Sequence, residues 1–267
     1  MINEYFEFKK SPFDKDIPEE ELYLNSSNEE CLSRLEYAIK EKRFAVITGD
    51  SGSGKTTILR KLVSSIDRNK YQTYYVSDSA LTPRNFYYEL LNQMGCSAKF
   101  YRGDAKRQLH KEIWQMVEEK GRVPVIIVDE AHLLTREMLE QIRFLLNFKM
   151  DSYNPLSLIL SGQTELRETL RKQIYEAISQ RVQVRYHMQP MDRKETEGYI
   201  SRHMEYAGRT IELFSDRAVD VVHDYTGGVL RKINTACISS LMYAVGQKKR
   251  IIDDYMMEYV IHNELEW

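Results

Sequence analysis

The sequence predicts an α/β P-loop NTPase fold, in which helices sandwich a five-stranded parallel sheet and a small helical lid domain follows. Three observations predict it. A glycine-rich segment at 49–56 follows the apolar run 44–47, and a second apolar run at 123–128 ends in two acidic residues. Apolar runs alternate with helical periodicity along the chain. From Pro190 onward the strand signals cease, so we predict domains at 1–189 and 190–267.

Strand and helix signals follow one another in the first of these domains. Apolar or alternating residues predict strands at 44–47, 73–76, 123–128, 156–160 and 182–186. Helical spacing predicts helices at about 28–39, 56–63, 83–94, 104–120 and 135–145. Thr82 and Pro83 are typical of a helix start, and Gly95 is typical of a helix end. The continuous apolar character of 123–128 indicates a strand buried on both faces.

The predicted lid domain contains helical signals only. Asp192 and Glu195 form a capping-box pattern, and Ala207 and Gly208 end that helix. Further helices are expected at about 215–225, 229–245 and 252–264.

Composition restricts the classes of function. The 267 residues carry a formal net charge of −2, so any nucleic-acid contact must come from a local basic patch. Cys31, Cys96 and Cys237 are too far apart for a zinc site or a disulfide framework, which favours a cytoplasmic location. No apolar run approaches the length of a transmembrane helix, so we expect no membrane partner.

The segment 49–56 has the P-loop pattern G-x-x-x-x-G-K-[ST]. A strand that enters such a turn and then a helix presents free backbone N–H groups to phosphate oxygens. Lys55 is expected to reach the β- and γ-phosphates, and the Thr56 hydroxyl to bind Mg²⁺. The predicted cofactors are therefore ATP and Mg²⁺, with nucleotide contacts from Gly49, Asp50, Ser51, Gly52, Ser53, Gly54, Lys55, Thr56 and Thr57.

The two acidic residues after the second apolar run complete a Walker B pattern. We predict that Asp129 holds Mg²⁺ through water, beside Thr56, and that Glu130 orients or deprotonates the attacking water. The sequence Asp-Glu-Ala-His at 129–132 also matches a helicase motif. Such helicases need two RecA-like domains, and this chain has room for one.

Several further segments carry a resemblance over nearly the whole chain. They are the aromatic opening 5–8 with Ser11, Pro12 and Phe13, the P-loop, and the segments 128–132, 160–166, 180–182, 199–208 and 227–231. Together they resemble the ExeA/GspA-type AAA+ ATPases, which are similar to the transposition ATPases TniB, TnsC and MuB.

The resemblance implies roles for further residues. Gln163 takes the place of sensor one, although a plain loop glutamine is the alternative. Arg181 takes the place of an arginine finger that reaches the nucleotide of a neighbouring subunit, with Arg185 as a rival. Arg231 resembles sensor two, which contacts the phosphates. The predicted catalytic residues are Glu130, Lys55, Arg181 and Gln163.

Two sets of residues allow alternative interpretations. We expect Phe6 and Phe8 to lie in the core under the sheet, whereas Pro12 and Phe13 could be core or could contact the base. A basic window before the Walker B strand could bind DNA or be a solvated helix face; it comprises Lys99, Arg102, Lys106, Arg107, His110 and Lys111. The run 248–250 is a weaker candidate.

The resemblance leaves three functions open. The first is an ATPase that assembles as a ring or helical filament on double-stranded DNA and recruits or stimulates a transposase. The second is a secretion-associated ExeA-type ATPase, and the third is a replication initiator or helicase loader. Secretion types carry a transmembrane helix and a peptidoglycan-binding domain, and initiators a winged helix. The short chain therefore favours transposition as the expectation.

Overall fold

The structure is a computed structural model, and it describes residues 2–77, 82–209 and 212–265. The strands are β1 (Phe44–Thr48), β2 (Tyr71–Val76), β3 (Val123–Val128), β4 (Ser157–Gly162) and β5 (Val184–His187). The longer helices are α2 (Ser26–Lys40), α3 (Lys55–Ser65), α4 (Pro83–Gln93), α5 (Arg102–Glu118), α6 (Arg136–Leu145), α7 (Thr164–Arg171), α9 (Arg193–Tyr206), α10 (Asp216–Thr226), α11 (Leu230–Gly246) and α12 (Asp254–Val260). Two short helices are α1 (Ile2–Phe6) and α8 (Glu176–Ser179).

The contacts divide the chain into two compact units. The α/β unit comprises Asn28–Ser51 and Lys55–Met188, and the helical unit comprises the described residues of 1–27, 52–54 and 189–267. The sequence-based boundary at 189/190 assigned residues 1–27 to the nucleotide-binding domain, whereas their contacts group them with the C-terminal helices.

The sheet of the α/β unit is parallel throughout, and its strand order is β2-β3-β4-β1-β5. This confirms the predicted five-stranded parallel sheet. Every residue of β1, β3 and β4 is buried, as their continuous apolar runs predict. Because parallel strands end at one edge, the residues after β1, β3 and β4 meet there, which is where α/β sheets bind ligands.

One face of the sheet packs on helices α4 to α7. Phe86 and Leu109 are fully buried in this core, as are Ile142 and Leu158. Thr82 and Thr135 cap their helices by accepting hydrogen bonds from the backbone N–H groups of Asn85 and Met138. Apolar helix faces and side-chain caps thus fix the helices that cover this face.

The helical unit has a core of its own, in which the N-terminal aromatic residues take part. Phe6 and Phe8 are buried among the helices of this unit, so the expectation that they lie under the sheet was wrong. The Phe13 side chain is 2% exposed, and its ring stacks on His203 at 4.9 Å. The Phe13 N–H also donates to Nδ1 of His203 at 3.1 Å. Both Pro12 and Phe13 are buried, which favours the core alternative over a contact with the base.

Local signals account for the helices of this unit. The capping box of Asp192 and Glu195 forms as predicted, with hydrogen bonds of 2.7 and 3.0 Å. Gly228 has φ +74°, and a Cβ there would lie 1.9 Å from the carbonyl oxygen of Met191. A side chain at this position therefore cannot be accommodated without moving the chain. In the part of the chain that the structure describes, no helix has the length and apolar character to cross a membrane.

The short elements differ most from expectation. Helices α1 and α8 have five and four residues, which is too short for helical periodicity to show in the sequence. Strand β5 begins at Val184 rather than residue 182, and α5 begins at Arg102 rather than residue 104. Element ends depend on hydrogen bonds that a residue pattern does not specify.

Candidate nucleotide-binding and hydrolysis site

The P-loop connects the end of β1 to the start of α3. Gly52 and Gly54 have φ values of +82° and +94°, in the region that favours glycine. The ammonium group of Lys55 is buried, and Nζ donates to the carbonyl oxygens of Gly49 at 2.8 Å and Asp50 at 2.9 Å. The lysine thus contacts the backbone of the loop that precedes it.

Polar groups of the loop fit an anionic ligand. The Ser53 hydroxyl is buried and has no hydrogen-bond partner among the described residues. A buried polar group without a partner costs stability, and a phosphate oxygen would supply one. Asp50 is held from outside the loop, because the Thr164 hydroxyl donates to its Oδ1 at 2.7 Å. These contacts support phosphate binding at this turn.

Asp129, directly after β3, faces the start of α3. Its side chain is 4% exposed, and the Thr56 hydroxyl donates to Oδ2 at 2.9 Å. The Glu130 N–H donates to Oδ1, also at 2.9 Å. The fold therefore brings the two predicted Mg²⁺ ligands together, although 73 positions separate them in sequence.

The Asp129 and Thr56 oxygens fit Mg²⁺, which prefers oxygen ligands and keeps several waters or phosphate oxygens. Among the described residues, no group of three or more His, Cys, Asp or Glu side chains could hold a metal ion. Asp129 and Thr56 offer two oxygen ligands, so waters or phosphate oxygens would have to supply the others.

Glu130 has an unusual backbone conformation. Its φ is +51° and its ψ is +32°, in the left-handed region that L-residues with a Cβ rarely adopt. Its carboxylate is partly exposed, and Oε2 lies 3.4 Å from Nδ1 of His132. Strained residues of this kind are concentrated at functional sites, where surrounding contacts hold them.

His132 joins the Walker B segment to the end of β4. The Gln163 N–H approaches the same Nδ1 atom at 3.4 Å. Without a proton, Nδ1 can accept a hydrogen bond from the Gln163 N–H. With a proton, it can donate one to the Glu130 carboxylate, so it cannot form both hydrogen bonds at once. A Cβ at Gly162 would lie 3.0 Å from the His132 N–H nitrogen, so glycine allows this close packing.

Gln163 lies at the end of β4, where sensor one was predicted. Its side-chain amide has no hydrogen bond to any other described residue, which leaves it available to a ligand. Strand β5, which pairs with β1, adds His187, whose Nδ1 lies 3.0 Å from the Thr48 hydroxyl. Burial and the guanidinium group of Arg167 lower the pKa of His187.

The two candidate arginine fingers are both engaged within the chain. Arg181 forms an ion pair with Asp151, and its side chain is 24% exposed. Arg185 donates to the carbonyl oxygen of Ser179 at 2.5 Å. Either arginine would have to leave these partners in order to reach a neighbouring subunit.

Arg231, the predicted sensor two, lies at the start of α11. Its backbone N–H donates to the carbonyl oxygen of Gly52 at 3.2 Å. A Cβ on Gly52 would lie 2.7 Å from the Cβ of Arg231, so Gly52 is needed for this approach as well as for its positive φ. Gly52 and Arg231 belong to the same unit.

The basic window is partly neutralised. Arg102 pairs with Glu137, and Arg107 pairs with Asp104, each at 2.5 Å. Lys106 Nζ lies 4.4 Å from the centre of the Phe144 ring, and burial lowers its pKa. The Lys99 and Lys111 ammonium groups have no ion pair with any residue that the structure describes.

His110 and the second basic run add less to this charge. His110 is partly buried beside Phe148, and burial lowers its pKa to about 4, so it is neutral at pH 7. In the run 248–250, Lys249 lies 3.6 Å from a carboxylate oxygen of Asp253, and Arg250 lies 4.0 Å from one of Glu7.

Sequence reasoning missed the residues that hold the predicted ones in place. Tyr75, His132 and Thr164 contact Asp129, Glu130 and Asp50, respectively. His132 lies within the segment 128–132, and Thr164 directly follows Gln163. Their positions next to predicted site residues could therefore have identified them from the sequence. Nothing in the local pattern of β2 distinguished Tyr75 from its neighbour Tyr74.

A sequence model of the AAA domain matches residues 37–170, half of the chain. The chain is 28% identical over 264 residues to general secretion pathway protein A of Aeromonas hydrophila, covering 95% of this chain and 47% of that protein. It is 21% identical over 258 residues to an uncharacterized HTH-type transcriptional regulator of Methanocaldococcus jannaschii, covering 82% of this chain and 62% of that protein. The chain thus spans about half of the length of the first relative and less than two thirds of the second.

Solved structures share the fold. Drosophila ORC bound to DNA superposes with a TM-score of 0.72 at 17% identity, covering 100% of this chain and 65% of that one. The ORC2 protein of Aeropyrum pernix in ADPNP–ADP complexes has a TM-score of 0.71 at 16% identity, and the match covers 96% of this chain and 72% of that one. Thermotoga maritima RuvB, a Holliday junction branch migration motor, has a TM-score of 0.61 at 17% identity, and the match covers 90% of this chain and 69% of that one. At these identities the similarity establishes the fold.

These comparisons bear unequally on the expected relationships. They support the resemblance to ExeA/GspA-type ATPases, and they do not show the further resemblance to transposition ATPases.

Proposed function

We propose that this chain, which belongs to the AAA-domain family, is an ATPase that couples ATP binding and hydrolysis to its own assembly. The observation that carries the proposed site is the buried Asp129 carboxylate, which faces the Thr56 hydroxyl across 2.9 Å at the start of the P-loop helix. A carboxylate and a hydroxyl in this arrangement suit a magnesium-nucleotide complex.

In the proposed reaction, the backbone N–H groups of the P-loop and the Lys55 ammonium hold the phosphates. Lys55 exchanges its two carbonyl partners for phosphate oxygens, and the Ser53 hydroxyl gains an acceptor. Thr56 and Asp129 would hold Mg²⁺. When bound, that ion supplies positive charge that offsets charge developing on the phosphates.

Glu130 would accept the proton of the attacking water. In the structure the Glu130 carboxylate lies beside His132. The carboxylate would have to leave His132 before it could contact the water. Gln163 would then orient the γ-phosphate or the water through its side-chain amide. Positioned proton acceptors contribute about 10² to 10⁴ in rate.

The arginines would make ATP hydrolysis depend on the assembly of several copies of the chain. Arg181 would act on the nucleotide of a neighbouring copy after leaving Asp151, and Arg231 would contact the phosphates. Breaking an ion pair that is partly exposed costs little, so nucleotide at an interface can compete for Arg181. Binding of ATP would thereby favour the assembled state.

Mixing two inactive variants tests this proposal. Arg181→Ala keeps an intact P-loop, and Lys55→Ala keeps an intact arginine, so a mixture should recover part of the phosphate release that neither variant shows alone. Mixed assembly is verified by labelling the two variants with different fluorophores. Energy transfer between the labels without any recovered hydrolysis would show that Arg181 does not act in trans.

For the cellular role, the comparisons favour the secretion and initiator alternatives over transposition. The relative from Aeromonas hydrophila is a general secretion pathway protein, and we propose that this chain serves a secretion-type assembly. Because the chain spans about half of that relative, the position of its last residue does not decide between the roles. A transposase partner stays a prediction, which an adjacent transposase gene would support.

Double-stranded DNA as a partner is a second proposal, which one surface feature favours. Lys99 and Lys111 have no carboxylate partner among the described residues. Phe100 and Tyr101 beside them are 68% and 71% exposed. The fold neighbours include an ORC bound to DNA. Assembly would repeat this surface along the duplex and multiply weak phosphate contacts.

A further inference from the structure

Tyr75, near the end of the edge strand β2, contacts the Walker B carboxylate. The Tyr75 hydroxyl donates to Oδ2 of Asp129 at 2.9 Å, the same oxygen to which Thr56 donates. The Glu130 N–H occupies Oδ1. Three donors therefore fix the plane of this carboxylate, and Tyr75 is the one that comes from outside the Walker segments.

The Tyr75 backbone is held from the outer side of the sheet. Its N–H donates to Oε1 of Gln93 at 3.1 Å, and its carbonyl oxygen accepts from Nε2 of Gln93 at 2.8 Å. An edge strand has no further strand to satisfy these groups, and the Gln93 amide takes that place. The Gln93 amide is itself fixed, because Nε2 also donates to Glu89 at 2.7 Å.

A tyrosine hydroxyl can donate one hydrogen bond, and Tyr75 directs that proton to Oδ2 of Asp129. Hydrogen-bond donors on both carboxylate oxygens therefore contribute to the orientation of Asp129. Partners of a metal-binding carboxylate change metal affinity or activity by about 10- to 100-fold when removed.

We propose that Tyr75 is a positioning residue, which orients Asp129 for Mg²⁺ and is itself held in place by Gln93. This proposal rests on the proposed role of Asp129 as a Mg²⁺ ligand. It assigns to β2 a function that neither Walker motif contains: the strand supplies the hydrogen bond that keeps the metal-binding carboxylate in one orientation when the nucleotide arrives.

The substitution Tyr75→Phe tests the proposal, and Tyr74→Phe is the matched control. Tyr74 is the preceding residue, and among the described residues its hydroxyl donates to the sulfur of Met116, at 3.6 Å, and not to Asp129. For each protein, binding of a fluorescent ATP analogue is titrated with Mg²⁺ and repeated in excess chelator. Thermal unfolding without nucleotide is recorded in parallel.

For Tyr75→Phe, we expect the Mg²⁺ concentration at half-saturation to rise about tenfold. Its affinity for the analogue in chelator and its unfolding temperature should stay close to those of the parent. Tyr74→Phe should leave the Mg²⁺ dependence unchanged. Gln93→Ala should shift the half-saturation in the same direction as Tyr75→Phe but by less, because the hydroxyl remains.

Two results would overturn the proposal. One is an unchanged Mg²⁺ half-saturation for Tyr75→Phe. The other is an equal loss of analogue binding with and without Mg²⁺ together with a lower unfolding temperature, because that pattern indicates a purely structural role. Asp129→Asn separates this failure from that of the proposed site: if it retains the Mg²⁺ dependence of the parent, Asp129 itself does not bind the ion.

Discussion

Replacing Glu130 by glycine should make the protein more stable and inactive at the same time. The residue has φ +51°, where a side chain costs roughly 1–2 kcal/mol and glycine costs little. Glycine also gives the unfolded chain more conformational entropy, which lowers the free energy of unfolding by roughly 0.4–1 kcal/mol. The net expectation is a gain of about 0.5–1 kcal/mol. Its partly exposed contact with His132 subtracts little.

For a chain of this size, 1 kcal/mol corresponds to roughly 2–4 °C in unfolding temperature, so Glu130→Gly should unfold about 1–4 °C higher. Hydrolysis should fall by at least about 10², the lower limit for a lost proton acceptor. The measurements are differential scanning calorimetry without nucleotide and phosphate release at saturating ATP.

Glu130→Gln is the matched control, because it keeps the side-chain size and the backbone cost. It should lose hydrolysis to a similar degree, retain nucleotide binding and leave the unfolding temperature near that of the parent. A lower unfolding temperature for Glu130→Gly would refute the argument from strain. Hydrolysis by Glu130→Gln at the parental rate would remove Glu130 from the reaction.

Three other predictions follow from the same structure. Lys55→Ala should abolish the stabilisation of the folded protein by ATP. In the parent, an ATP concentration of 100 times the dissociation constant should add about 2.7 kcal/mol to the free energy of unfolding. Calorimetry at several ATP concentrations measures this stabilisation. Burial lowers the pKa of His203 to about 4. Between pH 6.5 and pH 4 the unfolded chain therefore binds a proton at this residue that the folded chain does not bind. The free energy of unfolding should fall by roughly 3 kcal/mol over that range. Urea unfolding at several pH values tests this, and His203→Asn, which keeps an acceptor for the Phe13 N–H, should flatten the dependence. Lys99→Gln with Lys111→Gln should flatten the plot of log DNA affinity against log salt by about 0.9 per lost phosphate contact, and an unchanged slope in duplex titrations would exclude this surface.

The P-loop and Walker B patterns predicted the strand, turn and helix of the candidate site because these features depend on local chain geometry. In the structure a hydrogen bond places Thr56 beside Asp129. A glycine-rich turn between a strand and a helix presents its own N–H groups, and an apolar strand carries Asp129 to the edge of the sheet. The strands with unbroken apolar runs were predicted for the same reason. The short helices α1 and α8 have no such signal.

The aromatic opening shows where pattern reasoning stopped. Apolar character indicated correctly that Phe6 and Phe8 are buried, but it could not state which core receives them. The basic window shows a similar limit, since its sequence does not reveal that Glu137 neutralises Arg102 from 35 positions away. Charge counts along a chain are therefore poor estimates of charge on a surface.

The sequence by itself determined the candidate chemistry of this protein: a P-loop turn, an acidic residue proposed to hold Mg²⁺, and a helical region after an α/β sheet. Only the tertiary structure decided which groups hold these residues in place. Tyr75 meets Asp129 because β2 and β3 are neighbours in the parallel sheet, and Arg181 meets Asp151 through the path of the chain before β5. Motifs are encoded by residues close in sequence, whereas hydrogen bonds and ion pairs between distant residues depend on how strands and helices pack.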